Sequence, residues 1–119
     1  MTKILNKKRY DLEERTLGFA HRVNDYVNQL PRTITNIENG RQLTRSGGSI
    51  GANYIEANTG LGKRDFVMHI RVCRKEAKET RYWLILTEPS GMLQEEKLDL
   101  LREVTELTKI FNAILEKSK

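Results

Sequence analysis

The chain has 119 residues, 38% of them apolar and 31% charged, with only 2 prolines, which fits one helical globular domain and excludes two independent cores or a disordered tail. Its 21 lysines and arginines against 16 acidic residues leave a net charge of +5 that favours an acidic partner, nucleic acid first among them. No run of apolar residues reaches the roughly 18 needed to cross a membrane, none follows the basic stretch Met1 to Arg9 as a signal peptide would, and the single Cys73 cannot form an intrachain disulfide; a cytoplasmic protein is expected.

Apolar residues recur at helical spacing almost throughout, and no segment alternates as a half-buried strand does. The first helix is expected from about 11 to 30, capped by Asp11, with Glu13 and Glu14 near its positive end and Leu12, Phe19, Val23, Tyr26, Val27 and Leu30 as its apolar stripe. Pro31 ends it. The second, about 35 to 58, contains Gly40, Gly47, Gly48 and Gly51, each costing a helix about 1 kcal/mol relative to alanine. Leu43, Gly47, Ile50, Tyr54 and Ala57 nevertheless keep a heptad-like spacing, so a close-packed neighbour is expected to offset that cost.

The third helix, about 64 to 87, carries Phe66, Ile70, Cys73, Ala77, Thr80 and Leu84 at alternating steps of four and three, the pattern of a bundle seam. Glu88, Pro89, Ser90 and Gly91 interrupt the chain. The fourth, about 94 to 117, places Leu100, Val104, Leu107, Phe111 and Ile114 on one stripe. Short connections between helices of similar length predict antiparallel neighbours, hence an all-α, up-down four-helix bundle in a single domain spanning 1–119.

Catalytic and cofactor motifs fail on their residues. A phosphate loop around Gly60, Gly62 and Lys63 would need glycine at Ala57 and serine or threonine at Arg64, and a dinucleotide fingerprint would need glycine at Asp65 after a strand. His69 and Cys73, four residues apart, share a helix face, but two ligands are too few for a structural zinc site, and a thiol in an apolar seam is ordinarily inert. Neither His21 nor His69 has a glutamate three residues before it, as a di-metal bundle would require. No metal, no cofactor and no enzymatic activity are expected.

Two features remain. Arg64, Arg71, Arg74, Lys75, Lys78 and Arg81 fall opposite or beside the third helix's seam and form a basic stripe that its own Glu76 and Glu79 do not neutralise. The bland reading is a solvated face; the functional one is a row of phosphate contacts, without an accompanying pattern of stacked aromatics. Glu76 and Glu79 fall instead toward Val72, Trp83 and Leu86, where an unpaired carboxylate is costly, so ion pairs with Arg41 and Arg45 of the second helix are expected.

Arg45 to Ala57 reads RSGGSIGANYIEA, Lys75 to Leu86 reads KEAKETRYWLIL, and Asp11 to Thr16 reads DLEERT. Together these resemble the four-helix-bundle family encoded in 23S rRNA intervening sequences and the related accessory proteins of diversity-generating retroelements. The resemblance covers nearly the whole chain. It implies a barrel-like homo-oligomer, a pentamer, that presents basic surface, and in the retroelement branch a partner of a reverse transcriptase and of RNA or DNA. A scaffold whose charge is incidental is the competing reading.

Overall fold

The computed structural model describes the backbone of residues 2–119 and the side chains of residues 11–119. The basic N-terminal residues named above therefore lie outside the described side chains. Helix α1 spans Thr2–Gln29, α2 spans Ile34–Thr59, α3 spans Lys63–Leu86 and α4 spans Gln94–Lys117, with a single 3-10 turn at Gly91–Leu93 before α4. Among the described residues there is no strand. The first boundary differs from expectation, because Asp11 lies well inside α1 and caps nothing.

Local chemistry sets the other ends. Pro31 follows the end of α1, and its carbonyl accepts from Thr33 N at 2.9 Å and from Asn36 Nδ2 at 2.9 Å. Thr33 then caps α2, its hydroxyl accepting from Asn36 N at 3.1 Å. Gly62, at φ 100°, occupies a conformation that L side chains rarely adopt and turns the chain into α3. Glu95 and Glu96 in the first turn of α4 and Lys117 in its last turn complement the helix dipole.

Cross-helix bonds fix the topology. Asn58 at the end of α2 donates to Glu13 near the start of α1 at 2.9 Å, the Cys73 thiol of α3 donates to the Ile50 carbonyl of α2 at 3.5 Å, and Arg74 of α3 donates to Asn112 of α4 at 3.1 Å. Arg15 reaches Glu103 in two bonds of 2.7 and 2.8 Å, closing α4 onto α1. Consecutive helices are thus antiparallel neighbours in an up-down bundle of 47 × 24 × 20 Å, with α2 packed most extensively on α3 and α1 only lightly on α4.

The core is the set of stripes read from the sequence. Phe19, Val23 and Tyr26 meet Leu43 and Ile50, then Ile70, Cys73, Ala77 and Leu84, then Leu100, Val104, Leu107 and Phe111, all buried. Each large apolar side chain so buried contributes about 1.5–3 kcal/mol. Val27, Phe66 and Ile114 sit at the edge, partly buried. Three glycines of α2, Gly40, Gly47 and Gly51, face α1: a Cβ on Gly51 would stand 2.9 Å from Thr16 Oγ1, and one on Gly47 would stand 3.2 Å from Val23 Cγ1. Packing therefore offsets the propensity cost at these positions. Gly48 takes no part, since it faces open space.

Candidate nucleic-acid interface

Because α3 buries one narrow sector, the opposite sector is free to carry charge. Ile70, Cys73, Ala77, Thr80 and Leu84 point inward, while Arg64, Arg71, Lys75, Lys78 and Arg81 are exposed and Arg74 is half-buried against α4. Arg64 and Arg81 are 17 positions apart, about 25 Å along a helix. None of the six forms an ion pair among the described residues, and Arg74 is held by a neutral partner, Asn112.

The contrast with α4 and α1 localises the positive field. On α4, Arg102 pairs with Asp99 and Lys109 with Glu106 at 3.4 Å, and just past its end Lys119 pairs with Glu116 at 3.0 Å, each three residues apart. On α1, Arg22 meets Glu96 at 3.1 Å, and Arg15 meets Glu103, whose hydrogen bond raises the Arg15 pKa. Arg32, Arg41, Lys97 and Lys117 also form no ion pair among the described residues, but they are scattered, whereas the unpaired cations of α3 follow one stripe.

Four of the six, Arg71, Arg74, Lys78 and Arg81, border the groove between α3 and α4, while Arg64 and Lys75 stand out from it. The groove widens into three hollows. One, of about 310 Å³, lies by Arg71, Arg74 and Asn112; the next, of about 430 Å³, by Lys78, Arg81 and Tyr82; the third, of about 400 Å³, by Arg81, Leu98 and Leu101. Sequence reasoning missed what α4 brings here, Arg102, Lys109 and Asn112, because register between helices decides it. It also missed Tyr82, which is 58% exposed and sits four residues after Lys78 on the same face, so a single aromatic does accompany the stripe. That spacing was the available signal.

The acidic side of α3 packs on α2. Arg45 Nη2 lies 3.3 Å from Glu76 Oε1 and 3.3 Å from Glu79 Oε1. Glu76 is buried at 8% exposure, whereas Glu79 is only half-buried and the Arg45 side chain is half-exposed, so solvent screening keeps these pairs near about 0–1 kcal/mol each. Arg41 does not join them. It is exposed, without an ion pair among the described residues, and borders a separate hollow of about 220 Å³ at the α1–α2 connection. It stands one turn before Arg45 on α2, nearer the α1–α2 connection. Below the ion pairs, Ser46 Oγ and Thr80 Oγ1 share a buried hydrogen bond of 2.8 Å.

The remaining reactive candidates are separated. Burial pushes the Cys73 thiol up to about 12, and its proton is directed at the Ile50 carbonyl. His69 Nδ1 lies instead 3.4 Å from the Asp65 carbonyl and 3.9 Å from the Asp65 carboxylate. Among the described residues no three His, Cys, Asp or Glu side chains are grouped to hold a metal ion, and no described helix is long and apolar enough to cross a membrane.

Residues 8–113 match the model of the 23S rRNA-intervening sequence protein family. The chain is also similar to a solved structure from Bacteroides thetaiotaomicron, a protein of unknown function from the S23 ribosomal protein family. The two share 28% identity at a TM-score of 0.74, over 92% of this chain and 98% of that one. Comparison with curated proteins gives no match.

Proposed function

This chain belongs to the 23S rRNA-intervening sequence protein family, and we propose that it is a non-enzymatic, cytoplasmic module that assembles with itself and binds RNA or DNA through the outer face of α3. The observation that carries this reading is the unmatched stripe. Arg64, Arg71, Lys75, Lys78 and Arg81 are exposed without an ion pair among the described residues and share one helix face, while Arg102 and Lys109 of α4 are paired within their own helix. Such cations displace the counterions condensed on a phosphate backbone, which drives binding irrespective of sequence. One stripe is short against a screening length of about 8 Å, so a barrel-like homo-oligomer, a pentamer by family resemblance, would join several into a continuous surface.

The competing reading, a protein-interaction scaffold such as a reverse transcriptase partner, draws on the apolar side chains exposed beside the stripe, Met68, Ile85 and Leu86. Salt dependence separates the two. Arg71→Glu combined with Lys78→Glu, with mass checked by light scattering, should abolish RNA and DNA binding; single neutralisations should each lower the salt slope by about one unit. Binding that survives the double reversal with its slope unchanged would give the scaffold first place.

A further inference from the structure

We propose that the α3–α4 groove takes single-stranded nucleic acid, with an unpaired base seated against Tyr82 in the hollow between Tyr82 and α4. This rests on the nucleic-acid reading above and narrows it from nucleic acid in general to an unpaired strand. Three observations converge on it. Tyr82 offers an aromatic ring at 58% exposure, at the end of the stripe beside Lys78 and Arg81. The ring is braced by Trp83, edge to face at 5.1 Å between centroids and 78° between planes, so it meets a ligand already ordered. Beside it opens the hollow of about 430 Å³, bordered by Ile85, Thr105 and Thr108, a size within the range of about 300–1,000 Å³ typical of sites for small planar ligands.

The surroundings identify the occupant. Lys78 and Arg81, with no ion pair among the described residues, and Lys109, which also meets Glu106 at 3.4 Å, ring an otherwise largely apolar hollow, which suits a ligand with a flat apolar body and an anionic rim. A nucleotide in a single strand has that form: its base stacks on an aromatic ring while the flanking phosphates meet the cations. A duplex does not, because its bases are already stacked on one another and only phosphates reach the walls of such a groove, leaving the apolar floor wet. The adjoining hollow shares Arg81, Thr105 and Lys109 and continues over Leu98 and Leu101, with the Glu106 carboxylate at its edge paired to Lys109 and Arg102 also bordering it, which provides for the next base along the strand. Thr105 and Thr108 hydroxyls are satisfied by the carbonyls of Leu101 and Val104 at 2.8 Å each, so the floor makes no polar demand that would select one base.

The test compares a labelled unstructured RNA oligonucleotide with a hairpin duplex of equal length, by fluorescence anisotropy, on the wild type, Tyr82→Ala and Tyr82→Phe. Loss of stacking should weaken the unstructured strand by about 5- to 140-fold in Tyr82→Ala, leave the duplex unchanged, and leave the salt slope of both unchanged. Tyr82→Phe should bind as the wild type does. The emission of Trp83, the only tryptophan, should be quenched by the unstructured strand alone. Equal effects on strand and duplex, no effect on either, or a changed oligomer mass in Tyr82→Ala that points to a second copy covering the ring would each overturn the proposal. The reading beneath it fails separately, through the Arg71→Glu, Lys78→Glu variant.

Discussion

Asn36 holds the main chain of Glu88 from both sides: its Nδ2 donates to the Glu88 carbonyl at 3.0 Å, and its Oδ1 accepts from the Glu88 N–H at 2.9 Å. The same Nδ2 donates to the Pro31 carbonyl at 2.9 Å, so one buried amide ties the α1–α2 connection, the first turn of α2 and the α3–α4 connection together. Close by, Tyr26 OH and Thr87 Oγ1 share a bond of 2.8 Å, and Lys97 donates to the carbonyls of Thr87 at 2.8 Å and Ile85 at 3.2 Å. This end of the bundle is stapled by polar contacts where its helices run out.

Asn36→Leu should therefore destabilise the protein by about 3 kcal/mol, since each backbone group left without a partner in a partly buried site costs about 1–3 kcal/mol. Urea unfolding followed by circular dichroism measures it. Asn36→Asp keeps the acceptor for Glu88 N–H but turns a carboxylate toward two carbonyl oxygens, so it should be destabilised at neutral pH and partly recover in acid. A midpoint unmoved by Asn36→Leu would mean that water replaces the amide at no cost.

Two glycines of α2 should respond in opposite directions. Gly51→Leu places its side chain against Thr16, where even a Cβ stands 2.9 Å from the hydroxyl oxygen, and overpacking at such a contact costs about 1–3 kcal/mol or more. Gly48→Ala meets open space and should stabilise the helix by about 1 kcal/mol. Thermal melts of both variants decide this, and a melting temperature raised by Gly51→Leu would show that the α1–α2 approach is looser than described.

Cys73 should make stability fall in alkali. Its folded pKa of about 12 lies above the ordinary thiol value of 9.0 because burial disfavours the thiolate, so the folded state keeps a proton that the unfolded chain releases. The contribution is complete below about pH 9 and is lost progressively as pH rises toward about 12, amounting to about 4 kcal/mol at most. Tyr26, whose pKa burial also raises, acts in the same direction. Cys73→Ala should flatten the decline across this window. Iodoacetamide should leave the native thiol unmodified at neutral pH and label it only on unfolding, by mass spectrometry.

The sequence by itself determined the four helices apart from the start of α1, the inward stripe on each and the sector of α3 that carries the cations, because these follow from a period of 3.6 residues and from breakers at Pro31 and Pro89. It also determined that a glycine-bearing α2 needs a close neighbour, since propensity alone disfavours it. Tertiary structure decided which neighbour: Gly47 and Gly51 meet Val23 and Thr16 of α1, while Ser46 and Cys73 mark the separate seam of α2 with α3. The separation of Arg45 from Arg41 and the groove beside Tyr82 were equally outside the reach of periodicity. A helical period assigns a residue to a face, but the rotation and axial register of one helix against the next are set by how their side chains interlock. Residues far apart in the chain, such as Lys78 and Lys109 or Asn36 and Glu88, come together only when that interlocking is complete.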